Sequence, residues 1–255
     1  MRALSIIFLL FFSFHFLSGS DIKDAKAVLN EANQAFEAKK YDEAINLYTS
    51  LVHDYESAPL YHNLSLSHYY QGNLAESILY MEKANKIAPL NRDINKNLKL
   101  LEENVDSEIS RLPDFFLKAW LDSVSKIASI STWLWLHIIT LIIAIVLLYF
   151  YLIKGNDFNL HFYYIRGVII GLFILSLILG GISFNRSQLK NDTRSAIIMQ
   201  DSVPLRMGAE ANSQEVMKAN QGVKVKIEDE IGDFYKVKLQ DYTEAWLKKE
   251  FVEII

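Results

Sequence analysis

The chain of 255 residues has no cysteine. That absence excludes disulfides, thiolate zinc centres, a cysteine nucleophile and lipid attachment through cysteine. A formal charge of −4 with no dense Lys/Arg cluster argues against nucleic acid as a partner, because phosphate binding needs a basic patch. Signatures of catalysis are missing as well. The six histidines, His15, His53, His62, His68, His137 and His161, form neither HExxH nor another recognised ligand spacing, and there is no GxSxG or P-loop. Acidic clusters such as Glu102, Glu103 and Asp106 have the pattern of a solvated helix face. The expectation is therefore a non-enzymatic protein without cofactor or metal.

What the chain does have is apolar length. Residues 132–153 (TWLWLHIITLIIAIVLLYFYLI) contain no charge, and residues 163–184 (YYIRGVIIGLFILSLILGGISF) contain only Arg166, close enough to the end to reach the interface. A helix of about 20 such residues crosses a hydrocarbon layer of roughly 30 Å. Trp133, Trp135, Tyr149, Tyr151, Tyr163 and Tyr164 lie near the ends, where amphipathic rings prefer the boundary. Two crossings joined by a short cytoplasmic loop, 154–162, are expected. In the second, Gly167 with Gly171 and Ser176 with Gly180 form small-xxx-small pairs, suited to close helix approach within the hairpin or with another membrane protein.

Residues 1–20 (MRALSIIFLLFFSFHFLSGS) pair one basic residue with a short apolar run and small closing residues, the pattern of a secretory signal; an uncleaved anchor is the alternative. Either sends the following segment out of the cytoplasm, and two crossings return the distal end to the same side. The basic residues flanking the spans lean the other way under the positive-inside rule.

Residues 21–110 carry an internal repeat. Residues 32–44 (ANQAFEAKKYDEA) and 65–77 (SLSHYYQGNLAES) align at an offset of 33. The second copy places Tyr61, Leu64, Ser65, Gly72, Leu74, Ser77, Ala84 and Pro89 as a tetratricopeptide repeat does. The first, with Ala32, Phe36, Tyr41, Ala44, Ile45 and Leu51, is looser. Residues 91–109 put Ile94, Leu98, Leu101, Val105 and Ile109 on one stripe, as a capping helix requires. The concave face would present Leu29, Asn33, Phe36, His62, Leu66, Tyr69 and Tyr70, as packing residues or as peptide contacts. Asn33 and Asn63 stand where peptide-carboxylate clamps place asparagines, but the accompanying lysine is Leu29.

Residues 111–131 contain an amphipathic stretch with Phe116, Leu117, Trp120, Leu121, Val124 and Ile127 on one stripe. Such a helix lies in the membrane interface or packs on the repeats. After a linker at 185–194, period 2 replaces period 3.6, and residues 195–255 read as a small all-β barrel. The order VPLRMG, QGVKVKI, GDFYKVKL and EAWLKKEFVEII resembles bacterial SH3-like domains, with Tyr242 and Ala245 at two places where glycine is common. Phe234, Tyr235 and Trp246 form either a candidate ligand groove or part of the barrel core.

The sequence therefore predicts a multidomain membrane protein: α-helical tetratricopeptide repeats, a two-helix transmembrane hairpin and a small all-β SH3-like barrel. That order of parts resembles the BatE family of the Bacteroides aerotolerance operon. The resemblance implies a non-enzymatic protein of the bacterial inner membrane, with both termini periplasmic. Implied partners are other envelope membrane proteins, namely von Willebrand factor A-type Bat proteins and a MoxR-type ATPase system. Two alternatives are a receptor for peptidoglycan peptides and a regulatory accessory subunit of a membrane enzyme.

Overall fold

A computed structural model of the chain describes residues 19–107, 109, 115–154 and 161–255. The signal reading lies outside the described residues as far as residue 18, and the interhelical loop does so from 155 to 160.

Five helices come first: α1 (Gly19–Glu37), α2 (Tyr41–Val52), α3 (Ala58–Gln71), α4 (Leu74–Ile87) and α5 (Arg92–Glu103). Each packs on the next, as in a linear stack. Local chemistry sets the ends. Ser57 Oγ accepts the Leu60 N–H at 3.3 Å, with Pro59 in the first turn of α3, and Gly72 closes that helix at φ +89°. Asn91 Oδ1 accepts the N–H groups of Asp93 and Ile94 at the start of α5. Ala32, Ala44, Ser65 and Ser77 are fully buried, so the helices within each pair approach closely. The Ser65 hydroxyl donates to the Ser77 carbonyl at 2.6 Å, satisfying a polar group that burial would otherwise penalise.

Next come α6 (Phe116–Lys126), α7 (Ile130–Lys154) and α8 (His161–Lys190). Helices α7 and α8 are antiparallel, with contacts running from His137–Ser176 to Ile130–Ser183. Both are long and apolar enough to cross a membrane, and only 11% and 22% of their most apolar windows are buried, unlike soluble core helices. Helix α8 includes residues 185–190, part of the stretch read as linker. At about 1.5 Å per residue its 30 residues span roughly 45 Å, so it extends past a 30 Å apolar layer.

Strands β1 (Ser195–Ile198), β2 (Val203–Arg206), β3 (Glu215–Ala219), β4 (Lys224–Ile231), β5 (Phe234–Lys238), β6 (Glu244–Lys248) and β7 (Val252–Ile254) form one antiparallel sheet in the order β3-β2-β6-β5-β4-β1-β7. The expected barrel is not closed: β3 and β7 are edges that do not pair with each other. The reason lies in β1 and β7. Ala196 and Ile198 enter the core of the sheet, whereas Ile197 and Ile255 join the cluster around Ile78, Met81, Leu98 and Leu101 of the helices. This flank is directed at the helices and not round to β3.

The helical stack and the sheet therefore share a core, with Val105 touching both clusters. Lys224 Nζ meets Glu82 Oε1 at 2.6 Å, Lys86 donates to the backbone oxygens of Asp192 and Ile255, and Asn220 Nδ2 donates to the Asp106 carbonyl. Direct contact places both modules at the same end of the α7–α8 pair.

Candidate functional site

The expected concave face of the repeats is built from two kinds of residue. Asn33 Oδ1 accepts from Tyr48 Oη at 2.7 Å and from Asn63 Nδ2 at 3.2 Å, while Asn97 Nδ2 lies 2.9 Å from His62 Nε2. Asn33 and Asn63 are bonded to each other and not poised around a ligand carboxylate. Leu29 and Leu66 are half-buried and pack on the core clusters. Burial lowers the His62 pKa from its ordinary value and outweighs the opposing pull of Asn63 and Asp93, which favours the neutral ring. At the other end Phe36, Tyr41 and Tyr70 form an aromatic group, Tyr41 stacking on Tyr70 at 5.1 Å and Phe36 lying 6.0 Å from Tyr70. Tyr69 meets Tyr70 edge-on, and the two are 43% and 56% exposed. Tyr41 belongs to α2 and was not among the residues expected on this face. As the first residue of α2, just after the turn from α1, it is brought there.

The proposed groove of the β module is divided. In the β5–β6 register Phe234 pairs with Lys248 and Lys236 with Trp246, whereas Tyr235 pairs with Leu247. Side chains alternate along a strand, so Phe234 and Trp246 share one face and Tyr235 occupies the other. Tyr235 packs against the core of the sheet, beneath Lys249 at 5.0 Å. The face with Trp246 also carries Lys236, Lys238 and Glu244, which with Glu228 form ion pairs of 2.6 to 3.9 Å. A single groove lined by all three rings is therefore not formed.

The small residues of α8 divide too. Ser176 Oγ lies 2.9 Å from His137 Nδ1, and a Cβ on Gly180 would stand 3.3 Å from the same atom, so this pair receives the imidazole of α7. Nothing lies within 4 Å of a Cβ added to Gly167 or Gly171, so that pair does not mediate the contact within the hairpin.

One feature escapes sequence reasoning. Between α4, α5 and the start of β4 lies a cleft of about 630 Å³. Its floor is apolar, with Ile78, Leu98, Val105 and Val223; Glu82 with Lys224, Lys99 and Glu103 give it charge. Asn85 lines it, and its Oδ1 is buried with no hydrogen-bond partner. The only hint in the sequence is an acidic and an amide residue on a helix that otherwise buries its face; the partner of Glu82, Lys224, stands 142 positions after it. Among the described residues no group of three His, Asp or Glu side chains is placed to hold a metal ion.

Comparison with protein-family models and with curated proteins finds no match for this chain.

Proposed function

We propose that the protein is a non-enzymatic scaffold anchored in the bacterial inner membrane. In this reading it presents a tetratricopeptide-type and an SH3-like module to other envelope proteins on the periplasmic side, in a Bat-type aerotolerance or envelope-stress assembly. The observation that carries the reading is the docking of the two modules at one end of an apolar helix pair. They form a single platform beside the membrane, and the exposed Tyr69–Tyr70 corner offers the rigid aromatic surface that protein partners use. The family resemblance supplies the partners, von Willebrand factor A-type Bat proteins and a MoxR-type ATPase system. The amide and histidine contacts across the concave face suit a packed, rigid surface better than a pocket for chemistry.

The test is purification of tagged full-length protein in mild detergent after co-expression with those candidate partners. The wild type retains at least one Bat-type partner through washing. Combined Tyr69→Ala and Tyr70→Ala weakens retention while the melting curve still shows a folded protein. Full retention by the folded double variant removes the aromatic corner from the proposal, and no retention by the wild type removes the Bat assignment.

A further inference from the structure

Helix α6 places its two sides in very different surroundings. Asp122 Oδ1 and Ser125 Oγ accept from Asn185 Nδ2 of α8 at 3.0 and 3.2 Å, and the Ser125 carbonyl accepts the indole N–H of Trp133 at the start of α7 at 3.1 Å. Ser125 is fully buried in this junction. The main packing partner of α6 is thus α8 and not the helical repeats. Away from that junction Phe116, Trp120 and Ile127 follow one another at helical spacing and are 69%, 60% and 63% exposed, with Phe115 and Leu117 alongside.

The level of this helix is fixed by its partners. The apolar run of α7 opens in its first turn, residues 130–133, and that of α8 ends at 184. Trp133 and Asn185, which hold α6, mark those two limits. An apolar flank with its polar side already bonded, held where two spans leave the hydrocarbon, meets the chemistry of a lipid–water boundary. Lys118 pairs with Asp122 at 3.6 Å on the polar side, and Lys126 ends the helix.

We infer that α6 is a membrane-surface helix: Phe116, Trp120 and Ile127 insert among the headgroups and upper acyl chains of the bilayer that α7 and α8 cross, and the Asp122/Ser125–Asn185 contact locks the helix at that depth. The occupant of the exposed stripe is lipid. This rests on the reading of α7 and α8 as spans, and the controls below separate the two.

The natural absence of cysteine gives a direct test. Single variants Phe116→Cys, Ile127→Cys, Ile145→Cys and Tyr69→Cys of the full chain are spin-labelled and reconstituted in vesicles of phosphatidylethanolamine and phosphatidylglycerol. Collision with oxygen, which concentrates in lipid, is compared with collision with a water-soluble nickel complex. Labels at 116 and 127 are expected to show oxygen-to-nickel ratios above that at 69 and below that at 145. A ratio at 116 and 127 equal to that at 69 overturns the inference, as does shielding from both reagents, which would mean that protein covers the stripe. A label at 145 as wet as that at 69 overturns the spans themselves.

Discussion

Tyr242 stands at φ +67° in the turn between β5 and β6, a left-handed conformation in which a side chain is disfavoured by about 1–2 kcal/mol. The turn is held by the Tyr242 N–H to the Leu239 carbonyl and by Asp241 Oδ1 accepting the Thr243 N–H at 2.9 Å. Tyr242→Gly relieves the strain at some entropic cost, and a gain of up to about 1 kcal/mol in denaturant unfolding is expected. Gly222 is the opposite case. It lies at φ +86°, and a Cβ there would come within 2.8 Å of Ile78 Cδ1 and 2.9 Å of Val105 Cγ2. Gly222→Ala combines backbone strain with overpacking between the modules, and a loss of about 1–3 kcal/mol is expected in the same assay. His62 and His68 carry the third residue-scale prediction. Burial lowers both pKa values below 6.5, so the unfolded chain takes up protons first on acidification. Their contribution is complete above about pH 6.5 and is lost as pH falls from there towards the folded-state values. The unfolding midpoint should drop between pH 7 and 5, and combined His62→Gln and His68→Gln should flatten that profile; an unchanged slope would assign the pH dependence to other groups.

At the scale of elements, the period of the sequence placed helices and strands well, and the registers between them were the hidden part. Helix α2 begins at Tyr41, as the repeat pattern requires, whereas α5 ends at Glu103, before the Val105 and Ile109 expected on its stripe. The two small-residue pairs of α8 look equivalent in the sequence, yet only Ser176 and Gly180 receive a neighbour, because His137 of α7 is opposite them. Gly180→Val should therefore destabilise the helix pair in detergent by about 1–3 kcal/mol, whereas Gly167→Ala should leave its melting unchanged. Equal effects of the two would contradict this packing. Strand β1 shows the same limit. The run Ala196-Ile197-Ile198 does not alternate because both of its faces are covered, one by the sheet and one by the helices.

For the whole molecule, contact between the modules has a topological consequence. With α7 and α8 read as membrane spans, groups at Tyr69 and Ser213 fall on one side of the membrane whatever the direction of insertion. Single cysteines at Tyr69 and Ser213, treated with an impermeant thiol reagent in intact spheroplasts, should both be labelled if that side is periplasmic, while one at Asn156, between the two spans in sequence, stays protected. Labelling of 156 alone would reverse the orientation and leave the docking intact. Labelling of only one of 69 and 213 would overturn the docking. The cleft belongs to this scale as well, since Glu82 and Asn85 lie on one module and Val223 and Lys224 on the other.

Local periodicity and apolar length were enough to locate the stacked helices, the two membrane-competent helices and the strand-rich end, because both are properties of neighbouring residues. Their assembly was decided by contacts between distant positions. Ile197 and Ile255 could not be assigned to the helical core, nor Lys224 to Glu82, until the chain had folded, and the same docking directs β1 and β7 at the helices and leaves the sheet open. Sequence pattern records which face of an element is apolar, whereas burial against a partner far along the chain depends on where the whole chain brings that face.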